Sequence, residues 1–261
     1  MSRLGIALML TQDFPAVHLV AHRGQAVDHP ENSLSALLAS IAAGARIVEF
    51  DIQLAADAVA VVMHDEQLLR TTGCPGRVGD FTSMELARWH CGYSTRFGDR
   101  FATEPIPTLT EMVAALGAGA RVQVLAELKD ESIARFGLGT CMQAVLTDLE
   151  PIRDQTVFIS FSAAAVRAAA AAGWPTGWCL ETHDAAALQT ARALAPDMLL
   201  TDERAIASAA DVWDGPWRWA AWEVVDPVRA IALMQLGVHY VESMDVRGLL
   251  ANPEVREALS K

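Results

Sequence analysis

Eight short apolar runs, each the length of one strand and most followed by residues at helical spacing, constrain this chain more than any other feature. They fall at 17–21, 47–53, 122–128, 157–161, 177–180, 197–200, 217–224 and 238–241. Between them lie amphipathic or alanine-rich stretches. The first carries the stripe Leu34, Leu37, Leu38 and Ile41, capped by Asn32 or Ser33 and closed by Gly44. Others are expected at 164–172, at 185–194 and at 227–236, the last with Gly237 as its cap. Strand, loop and helix repeated in this way give parallel strands joined by right-handed crossovers. Eight such units are the count for a closed (β/α)8 TIM barrel, whose functional residues gather at the carboxyl ends of the strands. An open doubly wound sheet fits less well, because the candidate functional residues come from strands spread through the whole chain. At 261 residues the chain is read as one barrel domain, 1–261.

The stretch 46–65, RIVEFDIQLAADAVAVVMHD, departs from that repeat. Alternation puts Ile47, Glu49, Asp51 and Gln53 on one face and Val48, Phe50 and Ile52 on the other, so two carboxylates share a side. The connection 55–58 is too short for a helical crossover, so 59–63 returns antiparallel as a hairpin that ends at His64-Asp65. Two acids at i and i+2 repel when partly buried, and a metal ion is the natural remedy. Residues 66–107 are rich in Gly and Pro and too long for an ordinary connector, so they are expected to form an insertion over one mouth of the barrel. Capping boxes at Thr82…Glu85 and Thr108…Glu111 open helices within and after it. The run 122–128 repeats the acidic alternation and sets Glu127 and Lys129 on one face.

Charge and cysteine usage narrow the partners. A net charge of −12 argues against a nonspecific grip on nucleic acid or an anionic membrane, both of which need a basic face, so any phosphate must meet local cations. Cys74, Cys91, Cys141 and Cys179 form no CxxC pair and read as reduced thiols, which favours the cytoplasm. The apolar run 4–10 is followed by Gln12-Asp13-Phe14-Pro15, where a cleavage site would need small residues, so no signal peptide is expected. No run of about 18 apolar residues exists to span a membrane.

The residues at strand ends are His22, Arg23, Glu49, Asp51, His64, Glu127, Lys129, Phe161 and Trp222. HRG at 22–24, PEN at 30–32, EFD at 49–51, VVMHD at 61–65, IPTL at 106–109, ELK at 127–129 and SF at 160–161 follow in an order that resembles the glycerophosphodiester phosphodiesterase family. The resemblance implies a barrel of the phospholipase C-like phosphodiesterase type and a divalent cation on Glu49, Asp51 and Glu127. It implies His22 and His64 as the acid–base pair, and hydrolysis of a small-molecule glycerophosphodiester to glycerol 3-phosphate and an alcohol. The sequence departs from that family at Trp222-Glu223-Val224-Val225, at Met244-Asp245 and at Ala58, where the family favours glycine.

The chemistry of the residues agrees with that resemblance. Phosphodiester hydrolysis needs an activated nucleophile, a protonated leaving oxygen and neutralised nonbridging oxygens. Three carboxylates with one divalent ion leave a formal charge of −1, so a phosphodiester monoanion requires further cations, and Arg23 and Lys129 meet that need. All-oxygen ligands favour Mg²⁺ or Ca²⁺ over Zn²⁺. His22 is read as base and His64 as acid. A different phosphodiesterase or lyase of the same superfamily, or a metal-dependent barrel lyase or aldolase, shares the three acids, but an aldolase has little use for two flanking imidazoles. Phe161 and Trp222 read equally as substrate contacts or barrel-mouth core. Asn32 reads equally as helix cap or ligand contact. If 217–224 is one strand, only one of Trp222 and Glu223 faces the mouth. Trp222 is expected to, with Glu223 turned toward helices or solvent.

Overall fold

The computed structural model describes residues 18–117 and 122–260; Val17 and the run at 4–10 lie outside the described residues. The strands are β1 (His18–Ala21), β2 (Ile47–Leu54), β3 (Ala60–Val62), β4 (Gln123–Leu128), β5 (Thr156–Ser160), β6 (Thr176–Cys179), β7 (Met198–Asp202), β8 (Arg218–Trp222) and β9 (Tyr240–Ser243). All neighbouring pairs are parallel except β2–β3. Because β1 pairs with both β2 and β9, eight strands close into a parallel barrel, and β3 stands outside the ring as the antiparallel hairpin arm.

Two apolar layers follow from the period of two. Val20, Ile47, Leu125, Ile159, Cys179, Leu200, Ala220 and Tyr240 meet inside the barrel, while Val48, Phe50, Ile52, Val124, Ala126, Phe158 and Val241 pack outward against the helices. Full burial of side chains such as Phe50 or Ile52 stabilises the fold by about 1.5–3 kcal/mol each, before ordering costs. The outer helices begin where capping chemistry allows. Ser33, not Asn32, caps the helix Leu34–Ala42, accepting from the Ala36 amide at 3.0 Å. Thr108 and Glu111 close the expected box before the helix Leu109–Gly117. Asp226 caps Pro227–Gln235. Two helices between β4 and β5, Asp130–Phe136 and Leu138–Leu149, and two after β9, Val246–Ala251 and Pro253–Leu259, were not expected. Gly137, at φ 81°, turns the chain from one helix directly into the next.

Residues 66–107 contain short helices at Leu69–Thr72, Ser83–Leu86 and Ser94–Phe97, the second opened by the Thr82–Glu85 box. Leu68, Val78, Leu86, Cys91 and Ile106 form a separate apolar cluster around Val61 and Met63 of the hairpin. Polar ties run to the loop after β1 and to the first turn of the helix that follows it: Arg96 donates to the Val27 carbonyl at 3.1 Å, and Ser35 N donates to Glu104 Oε1 at 3.1 Å. The segment is thereby fastened beside the carboxyl end of β1. Among the described residues no helix is long and apolar enough to cross a membrane.

Candidate active site

Glu49, Asp51 and Glu127 point into the barrel at the carboxyl ends of β2 and β4, with Asp51 directly opposite Glu127 in the register. One carboxylate oxygen from each lies within 4.8 Å of the other two. All three acids are buried, and Glu49 Oε1 and Asp51 Oδ1 have no hydrogen-bond partner. Buried carboxylate oxygens left without donors are costly unless a cation meets them, so the set fits an oxygen-liganded divalent ion. Burial, then the charge of Asp51, pushes the Glu49 and Glu127 carboxyls up. Burial raises Asp51 too, but Arg23 and Lys129 more than reverse it and hold that carboxyl well below its ordinary value.

The cations sit on the same acids. Lys129 Nζ lies 2.7 Å from Glu127 Oε1 and 3.4 Å from Asp51 Oδ1. Arg23 places Nε 3.1 Å from Asp51 Oδ2, and its backbone N–H donates to Glu49 Oε2 at 3.0 Å. Arg23 itself sits at φ 57°, a left-handed conformation a non-glycine residue adopts at a cost. Gly24, at φ 82°, follows because a Cβ there would sit 2.5 Å from the Ala36 carbonyl carbon. Asn32, also left-handed at φ 59°, is neither cap nor free. Its Nδ2 donates to Asp51 Oδ2 at 2.7 Å and its Oδ1 accepts from the Asp51 amide at 3.0 Å, a two-point clamp on one acid.

The imidazoles flank this group. His22 Nε2 lies 3.9 Å from Glu49 Oε2. Burial, then the charge of Arg23, lowers its pKa well below the ordinary value, which keeps the ring neutral. Gln53 donates from Nε2 to the His64 carbonyl at 2.9 Å and so fixes the hairpin end. His64 Nδ1 meets Asp65 Oδ1 at 2.7 Å. From there a chain of ion pairs runs through Arg70 to Glu31 (2.7 Å) and on to Arg23 (3.1 Å). Glu31, Asp65 and Arg70 carry no assigned role in the sequence reading, although Glu31 lies in PEN and Asp65 in VVMHD. The ion pairs that recruit them cross from 31 to 70 and have no local signature. His29 and His183 make other polar contacts, and His18 and His239 sit at the amino ends of β1 and β9, away from the acids.

Phe161 and Trp222 pack on the interior layer with ring centroids 5.6 Å apart at 69°, and Lys129 Nζ stands 5.9 Å from the Phe161 centroid. The expected outward turn of Glu223 is not what the structure shows. β8 ends at Trp222, so strand alternation no longer governs the next residue, and Glu223 Oε2 lies 3.9 Å from His22 Nδ1. Both residues face the mouth. A fourth interior acid was also missed. Glu242 follows Tyr240 on the inner face of β9, is 2% exposed, and leaves Oε1 without a partner. Burial, then Glu127 and Asp51, pushes its carboxyl up to about 8. Its only signal was the alternation of a four-residue strand, YVES.

A closed parallel barrel with buried acids, cations and two imidazoles at the carboxyl ends of its strands defines a (β/α)8 barrel of the phosphodiesterase type. The chain belongs to the glycerophosphoryl diester phosphodiesterase family, whose model matches residues 22–213. A glycerophosphodiester phosphodiesterase of Caldanaerobacter subterraneus is 41% identical over 99 residues, 38% of this chain and 40% of that protein. The human glycerophosphodiester phosphodiesterase 1 is 37% identical over 108 residues, 41% of this chain and 33% of that protein. These matches thus span well under half the length of the curated relatives. In fold, the chain is similar to an Oleispira antarctica phosphodiesterase solved with the product sn-glycerol-3-phosphate, with a TM-score of 0.79 at 24% identity over 95% of this chain and 98% of that one. A glycerophosphodiester phosphodiesterase from Agrobacterium tumefaciens gives 0.72 at 24% identity, over 90% and 99%.

Proposed function

We propose that the protein hydrolyses a glycerophosphodiester to glycerol 3-phosphate and an alcohol. The observation that carries this reading is the meeting of three buried acids, two of them with an oxygen that accepts no hydrogen bond, between two imidazoles in a chain of this family. Glu49, Asp51 and Glu127 would hold one divalent cation, Mg²⁺ or Ca²⁺; when bound, it supplies Lewis-acid neutralisation of the nonbridging phosphate oxygens. Arg23 and Lys129 add the positive charge that three carboxylates leave wanting. His22, neutral and buried, accepts the proton of the attacking oxygen at Nε2. His64 gives a proton to the departing alcohol oxygen as the P–O bond breaks. The Phe161–Trp222 edge covers the carbon skeleton of the substrate. Four free cysteines, three of them buried, support a reducing compartment, the cytoplasm.

Incubation with glycerophosphocholine and Mg²⁺ or Ca²⁺, following glycerol 3-phosphate, tests the reading. Release that stops in chelator and resumes with added ion is expected. No release from any glycerophosphodiester with either ion would overturn it.

A further inference from the structure

Each imidazole of the site turns Nδ1 toward a carboxylate. For His64 the partner is its neighbour Asp65, at 2.7 Å and held in turn by Arg70. For His22 the facing group comes from the opposite end of the chain: Glu223 Oε2, 3.9 Å away, just past the end of β8. His22 Nδ1 is buried and has no hydrogen-bond partner. Among the described residues Glu223 has no Lys or Arg nitrogen within ion-pair distance, His22 being its one such contact. A buried ring nitrogen without a hydrogen-bond partner, facing a carboxylate about one-third exposed with no Lys or Arg within ion-pair distance, is two unmet needs on one line. Closing the gap by about 1 Å makes a hydrogen bond, and contacts between catalytic groups are often long before substrate binds and tighten in the complex.

We propose that Glu223 is the positioning residue of His22. Its carboxylate accepts the Nδ1–H proton and so fixes the tautomer whose Nε2 lone pair faces Glu49 and the reacting phosphate. The same carboxylate then offsets the positive ring formed when Nε2 takes a proton. No bond to Glu223 forms or breaks, and the proton on Nδ1 stays there. This role rests on His22 acting as the base in the reaction proposed above. It replaces the expectation that Glu223 is a bystander.

The test uses Glu223→Gln and Glu223→Thr, which alter a side chain about one-third exposed and leave the acids in place. Expected is a fall in kcat of roughly 10- to 10²-fold on every glycerophosphodiester, whatever its alcohol, with KM and cation affinity within about twofold. His22→Ala combined with Glu223→Gln should be no slower than His22→Ala alone. Nitrogen-15 NMR of histidine-labelled protein should show the Nδ1–H tautomer for His22, lost in Glu223→Thr. That spectrum is readable without turnover, so a protein that cleaves no glycerophosphodiester would refute the proposed reaction and leave the tautomer result standing. An unchanged tautomer, or a loss of rate confined to substrates with a cationic alcohol, would overturn the positioning role; the second outcome would make Glu223 a specificity residue instead.

Discussion

At the scale of the residue, the site is a set of groups whose charges are meaningful only together. Removing either imidazole is expected to lower turnover by ~10²- to 10⁴-fold, the ordinary worth of a general acid or base. The two losses are separable. A nitrophenyl phosphodiester, whose leaving group needs no proton, should rescue His64→Ala and not His22→Ala, and rescue of His22→Ala alone would reverse the assignment. Asn32 offers a second test. It clamps Asp51 through two hydrogen bonds, so Asn32→Ala should weaken cation binding, read by calorimetry, while the fold persists. Alternation alone placed Glu49, Asp51 and Glu127 correctly, because both strands run past the acids. It failed at Glu223, because β8 stops at Trp222, two residues short of the expected end at 224, and alternation does not govern a side chain past the strand. Asn32 stayed ambiguous because its partner, Asp51, lies 19 residues on.

At the scale of the element, two alanines sit where glycine is favoured. Ala58 turns the β2–β3 hairpin at φ 61°, and Ala195 ends the helix Ala185–Leu194 at φ 45°. A left-handed alanine costs roughly 1–2 kcal/mol, part of which is returned when glycine's looser unfolded chain is counted. Ala58→Gly and Ala195→Gly should each stabilise the protein by about 0.5–1 kcal/mol, and the two should add because they lie on separate elements. Thermal unfolding checks this; a fall in Tm for either variant would contradict it. Strand order, hairpin and capping boxes were legible because each rests on local chemistry: period two, a connection too short for a helix, and Thr-x-x-Glu. The paired helices Asp130–Phe136 and Leu138–Leu149 were not, since Gly137 signals a stop and only tertiary packing shows that a second helix starts there.

At the scale of the whole molecule, the two ends of the barrel should answer pH in opposite directions. His18, at the amino end, is pushed down to about 4 by burial and then by Arg218 and His239. The unfolded chain takes up that proton below pH 6.5 and the folded one only near 4, so stability is present above pH 6.5 and is lost as pH falls through that window. Replacing His18 with Phe should flatten the loss. Glu242 works the other way: its folded carboxyl, raised to about 8, keeps a proton that the unfolded chain releases above its ordinary 4.5. In chelator, stability should therefore fall as pH rises between those values, by up to about 1.4 kcal/mol per pH unit for this one group, and Glu242→Gln should reduce the slope, leaving the share of the raised Glu49 and Glu127 carboxyls. The acids at the carboxyl end are an arrangement built for positive charge. Calorimetric titration of Mg²⁺ and Ca²⁺ into chelator-stripped protein and into Glu49→Gln tests it most directly. One saturable site per chain is expected in the native protein, weakened at least ~10-fold in the variant; equal binding by the two proteins, or none by either, would rule out a cation site on these acids.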